Sequence, residues 1–172
     1  MANTMRMGVI GPGRMGQYHC QQIADCAGSQ LVAGSSGSEG LRETVAERFA
    51  IRTYDDHEAL LRDPEVEWLV IATITDRHGE WALRAIRRGK NLVIEKPIAL
   101  SLEETEKIIS AADREGVRTT VYNSRRWDAD FQLVRRLLTE EALGKTSLPY
   151  FEFVQPDGKD DDHTDENLLP ER

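Results

Sequence analysis

Six short apolar runs, each followed by a stretch with helical spacing, restrict this chain more than any other feature does. The runs are Met7–Ile10, Leu31–Ala33, Ile51–Tyr54, Trp68–Ala72, Asn91–Ile94 and Val117–Tyr122. Trp68–Ala72 is continuously apolar, as a parallel strand covered on both faces requires. Helices are expected over about Arg14–Ala27, through Leu41, Val45 and Phe49, over His57–Arg62, Asp76–Arg88 and Asp128–Glu141. Another is expected after Ser101-Leu102-Glu103-Glu104, a capping box, with Gly116 as its stop. Strand–helix alternation of this length predicts an α/β fold with a doubly wound parallel sheet.

The first strand ends in Gly11-Pro12-Gly13-Arg14-Met15-Gly16, a G-x-G-x-x-G loop opening a helix. In that context the pattern has a mechanical meaning. Gly11 makes the turn, Gly13 lets a pyrophosphate approach the backbone, and Gly16 lets the helix pack on the strand. Arg14 and Met15 complete the loop. The helix N-terminus offers free N–H groups to an anion. The expected ligand is a nicotinamide dinucleotide.

The residues after the second strand bear on which one. An acid there accepts from the ribose 2′-hydroxyl of NAD. This chain has Gly34-Ser35-Ser36-Gly37-Ser38, and Glu39 falls in the next helix. Ser35 and Ser36 can donate to a 2′-phosphate, and Arg42 can supply a cation. NADP is therefore expected ahead of NAD, while Arg42 on a solvated helix face is the plain alternative.

Composition removes other classes. A formal charge of −8 argues against a nucleic-acid footprint. No apolar run approaches the length of a membrane span, and no signal-peptide core is visible, so a cytoplasmic protein is expected. Cys20 and Cys26 have neither C-x-x-C nor zinc spacing and read as packing residues. Asp160, Asp161 and Asp162 with His163 read as a solvated tail rather than a metal site.

Further along stands Val93-Ile94-Glu95-Lys96-Pro97-Ile98-Ala99-Leu100. With the glycine loop, Val70-Ile71-Ala72-Thr73, His78 five residues on, and Asn123-Ser124-Arg125-Arg126-Trp127, it resembles the Gfo/Idh/MocA oxidoreductases, from Met7 to about Phe153. The resemblance implies an NAD(P)-dependent oxidoreductase acting on a sugar, polyol or related alcohol or ketone. It implies Lys96 as the catalytic residue, beside the nicotinamide and the substrate hydroxyl, with a cis peptide before Pro97. It implies Glu95 at the nicotinamide ribose, and Thr73, Ile74, His78, Asn123 and Arg126 along the cofactor cleft. His78 as a helix-start residue, and Arg125 and Arg126 pairing with surface acids, are the plain alternatives. Two features depart from the family: no proline follows Thr73, and the chain is too short for the family's second domain.

The expected organisation is a dinucleotide-binding domain over 1–122, a connecting helix and the first strand of a further α+β domain over 123–154, and an acidic disordered tail over 155–172. A cofactor-binding module without catalysis of its own is the alternative to an enzyme. The strand expected at Tyr150–Val154, with Phe151 and Phe153, is a candidate homodimer contact. His19 is expected to be packed rather than catalytic, and His57 and His163 have no partner pattern.

Overall fold

A computed structural model describes residues 4–142 and 144. The expectations for Tyr150–Val154, the dimer contact it carries, and the tail lie outside the described residues. The chain divides into two compact units between Ser124 and Arg125.

The first unit holds six parallel strands: β1 (Met5–Ile10), β2 (Ser29–Ser35), β3 (Arg52–Tyr54), β4 (Trp68–Ile71), β5 (Asn91–Ile94) and β6 (Thr119–Val121). They lie in the order β3-β2-β1-β4-β5-β6. The order reverses between β1 and β4, which pair Ile10 with Ile71 at their carboxyl ends. A ligand crevice forms outside such a reversal, with one mononucleotide half on each side.

The helices are α1 (Arg14–Asp25), α2 (Glu39–Phe49), α3 (His57–Arg62), α4 (His78–Ile86) and α5 (Leu102–Glu115). Strand alternation splits the core. Met7, Val9, Leu31 and Val70 pack on Cys20 and Ile23 of α1, with Phe49 of α2 beside them. Ile10, Leu69, Ile71, Leu92 and Ile94 pack on Leu60, Ile86, Ile108 and Ala112 from α3, α4 and α5. Burying each such Leu or Ile contributes about 1.5–3 kcal/mol.

Local chemistry sets the helix ends. Ser101 Oγ accepts from Glu104 N–H at 3.1 Å, as a capping box requires. The Glu104 carboxylate instead accepts from Leu100 N–H at 3.3 Å, one residue earlier than the ideal motif. Gly116 closes α5 at φ 66°. Two helices are shorter than the pattern suggests. α1 stops at Asp25 because Cys26 is extended and the Ser29 hydroxyl donates to the Ile23 carbonyl at 2.9 Å. The first turn expected for α4 is a 3₁₀ turn over Thr75–Arg77, with Arg77 N–H on Ile74 O at 3.0 Å.

The second unit begins in a 3₁₀ turn that ends at Trp127 and continues in α6 (Ala129–Thr139). Among the described residues, no helix is long and apolar enough to cross a membrane.

Candidate cofactor site

The ladder runs one residue past each strand at the carboxyl edge, and this pins the loops there. Gly11 N–H bonds Ser35 O, Ala72 N–H bonds Ile10 O and Glu95 N–H bonds Ile71 O, each at 3.0 Å, and Tyr122 N–H bonds Ile94 O at 2.7 Å. The loops after β1, β2, β4, β5 and β6 therefore start from one fixed edge.

The three loop glycines do different things. Gly11 has φ +77°, and a Cβ there would stand 2.9 Å from the Ala72 carbonyl oxygen. A Cβ on Gly16 would stand 2.9 Å from the Gly11 carbonyl carbon and closer still to its oxygen. Both positions are closed by backbone. Gly13 has open space around its missing Cβ. It is also the N-cap of α1, which has no side-chain cap and no acid in its first turn. An uncapped helix terminus beneath an open glycine fits a pyrophosphate. Arg14 is exposed and Met15 half-buried beside it.

On the β2 side, the structure separates the two serines. Ser35 is fully buried, and its hydroxyl lies 2.8 Å from His57 Nδ1. Its side chain is thus used inside the protein, contrary to the expectation that it would meet a 2′-phosphate. That side chain meets the first residue of α3. Ser36 caps the next turn, accepting from Ser38 N–H at 3.1 Å. Arg42 reaches the same loop. Its Nη1 donates to Ser36 O at 2.8 Å and Gly37 O at 3.2 Å, so the guanidinium folds over the exposed loop. A guanidinium has five donors, and the remaining ones can serve an anion.

His57 was given no partner by its sequence neighbours; its partner comes from another strand. Burial pushes its pKa below the ordinary value of 6.5, against the opposing field of Asp56. The folded protein therefore binds fewer protons than the unfolded chain as pH falls through 6.5. Stability should be full above that value and decline on acidification until the folded-state pKa is passed. Melting temperatures from pH 7.5 to 5 should show a shallower acid decline for His57→Gln than for the wild type.

On the β4–β6 side, two expected cleft residues are braces. His78 is 1% exposed, with Nδ1 2.8 Å from Pro97 O and Nε2 3.0 Å from Thr73 O. It ties the loop after β4 to the loop after β5 rather than facing the crevice, because both ring nitrogens are engaged by backbone. Glu95 is 6% exposed; Oε1 lies 2.7 Å from His19 Nε2, and Oε2 accepts from Lys96 N–H at 3.1 Å. Of the expected cleft residues there, Ile74, Lys96 and Asn123 are exposed. Thr73 is half-buried, its hydroxyl 3.2 Å from Ile74 O. The Lys96–Pro97 peptide is cis, as the resemblance implies.

Arg126 belongs to the second unit and is exposed. Its carbonyl accepts from the Gln132 side chain, and among the described residues its guanidinium has no ion pair. Arg125 does pair with an acid, Asp128, at 3.0 Å.

Comparison with known proteins agrees with this geometry. Residues 5–123 match the family model described as "Oxidoreductase family, NAD-binding Rossmann fold". The chain is 31% identical over 147 residues to the scyllo-inositol 2-dehydrogenase (NAD(+)) of Bacillus subtilis, covering 84% of this chain and 43% of that protein. It is 29% identical over 143 residues to the scyllo-inositol 2-dehydrogenase (NADP(+)) IolW of the same organism, covering 82% of this chain and 39% of that one. The structure of an NAD-binding protein from Listeria innocua superimposes with a TM-score of 0.79 at 29% identity, over 83% of this chain and 42% of that one. The chain thus spans about two fifths of the length of these relatives. It belongs to the Gfo/Idh/MocA oxidoreductase family and carries that family's NAD(P)-binding Rossmann domain.

Proposed function

We propose that the chain binds NADP(H) in preference to NAD(H), as the dinucleotide-binding part of an oxidoreductase for a sugar, polyol or related alcohol or ketone. The observation that carries the cofactor preference is the β2–α2 loop. No carboxylate stands on it to repel a 2′-phosphate, and the Arg42 guanidinium lies across it. Gly11, Gly13 and Gly16 with the α1 N-terminus would hold the pyrophosphate. Ser36 and Arg42 would hold the adenosine end, and Thr73, Ile74 and Asn123 would line the other half. When bound, the nicotinamide supplies a carbon that accepts or donates hydride. Lys96 would orient a substrate hydroxyl or carbonyl and move its proton. The substrate class is supported by the inositol dehydrogenases among the relatives.

Calorimetric titration of NADP+ and NAD+ tests the preference. NADP+ should bind at least about tenfold more tightly, a difference of about 1.4 kcal/mol. Arg42→Ala and Gly37→Asp should each remove most of that difference by weakening NADP+ alone. Gly37 suits the second change because its side is open and a Cβ meets nothing there. Equal affinities in the wild type would overturn the preference.

A second reading is a binding module without turnover of its own. Lys96 favours it: the side chain is exposed, and among the described residues no hydrogen bond fixes its ammonium. Hydride transfer needs reacting atoms held at contact distance. On this reading the chain alone retains cofactor affinity but does not turn over polyols.

A further inference from the structure

His19 and Glu95 are separated by 76 residues in sequence, yet their side chains meet in the interior at 2.7 Å. His19 is 4% exposed and Glu95 6%. His19 projects from α1, the helix that begins at the phosphate loop. Glu95 starts the loop after β5, across the reversal of strand order. The pair therefore joins the two halves of the crevice. The Tyr122 ring, after β6, stands edge-on to the imidazole with centroids 4.5 Å apart, so a third element fixes its plane. The other oxygen of Glu95 holds Lys96 N–H at 3.1 Å, immediately before the cis peptide.

A buried ionisable pair is a weak source of stability, because desolvation offsets most of the attraction, and well-packed apolar residues usually do as well. Its distinctive effect is directional. One carboxylate oxygen is aimed by the imidazole and the other aims a backbone N–H, so the turn carrying Lys96 is set from α1. We propose that His19 is a positioning residue for the nicotinamide half of the site, acting through Glu95 on the Lys96 turn. This inference rests on the cofactor reading above.

The pair of ligands that tests it is NADPH and 2′-phospho-ADP-ribose, which has the adenosine end and pyrophosphate but no nicotinamide. Both are titrated into the 172-residue chain and into His19→Phe and His19→Gln. Phe keeps the ring contact with Tyr122 and loses the donor; Gln keeps an N–H donor. His19→Phe should weaken NADPH about tenfold, the effect of losing one charge-assisted hydrogen bond, while leaving the fragment within about twofold. His19→Gln should restore most of the NADPH affinity. Should His19→Phe not fold, Glu95→Gln is measured in its place and should also weaken NADPH selectively. Equal weakening of both ligands, or no change in either, would overturn the positioning role while leaving the cofactor reading intact. A wild type that prefers NADH is measured with NADH and ADP-ribose by the same criterion. A wild type that binds neither dinucleotide overturns the cofactor reading and this inference together.

Discussion

Gly13→Ser should lower dinucleotide affinity by about a hundredfold, about 2.7 kcal/mol, without lowering the melting temperature. The reasoning begins with the free protein. Gly13 is the N-cap of α1 at φ −70°, an extended conformation that any residue adopts, and a Cβ there meets nothing within 4 Å. Serine is among the best N-cap residues, and this helix has no side-chain cap to lose. Stability should therefore hold or rise slightly. The same side chain would occupy the space through which a pyrophosphate reaches the helix N–H groups. Gly16→Ala gives the opposite pattern. Its Cβ would collide with the Gly11 carbonyl, which is backbone and cannot swing aside. Overpacking of that kind costs about 2–3 kcal/mol, a fall of about 5–10 °C in melting temperature. Binding would be lost with the loop. Thermal scans alongside calorimetry separate the two. A Gly13→Ser protein that binds as tightly as wild type would remove the glycine loop from the site.

The three-glycine motif and the turn and packing duties of Gly11 and Gly16 are thus legible in the sequence, but the backbone atoms that close those two positions, Ala72 O and Gly11 O, are not. The same division holds elsewhere. Apolar runs and caps gave the strand order's ingredients: β5 begins and ends at the expected Asn91 and Ile94, and α5 lies between its serine cap and Gly116. Periodicity reports which face of an element is apolar. It does not report where a polar side chain at a strand end will turn. Ser35 was placed correctly at the end of β2, but its hydroxyl finds His57, from α3, rather than solvent. Glu95 is on the expected loop and His78 starts α4, as its plain alternative has it, and both are braces because partners on other loops or helices reach them first. His19 shows the same limit from the other direction. It reads as a packing residue on α1, and its one charged contact lies 76 residues away. No local spacing encodes such a pair.

The amino edge of the sheet carries the other large expected effect. Asp63→Ala should destabilise the protein by about 2–3 kcal/mol and leave dinucleotide affinity unchanged. Asp63 is 6% exposed in the connection that enters β4. Its Oδ2 accepts from Arg52 Nη2 and the Tyr54 hydroxyl, each at 3.0 Å, and Oδ1 accepts from Glu65 N–H at 2.9 Å. Its carbonyl also accepts from Lys90, whose Nζ donates to Asp63 O and Val66 O, both at 2.7 Å. The carboxylate and the ammonium thus fix one connection from two sides. Burial pulls the Lys90 pKa down and pushes the Tyr54 phenol up, the latter helped by its bond to Asp63. Removing the carboxylate strands the Tyr54 hydroxyl and the Glu65 N–H, and the cost is that of two part-buried donors left unmade. Arg52 adds less, because about half of its side chain is exposed and solvent screens it. Asp63→Asn keeps the shape and one carbonyl oxygen, and should cost roughly half as much. Urea denaturation of the three proteins reads the order directly, as midpoints at unchanged slope. The binding arm of the experiment matters equally. The crevice is built on the carboxyl edge, from residues that Asp63 does not touch, so a protein that remains folded should bind as before. A parallel loss of affinity would mean that the two edges of this sheet are coupled, and the division of labour between them would have to be abandoned.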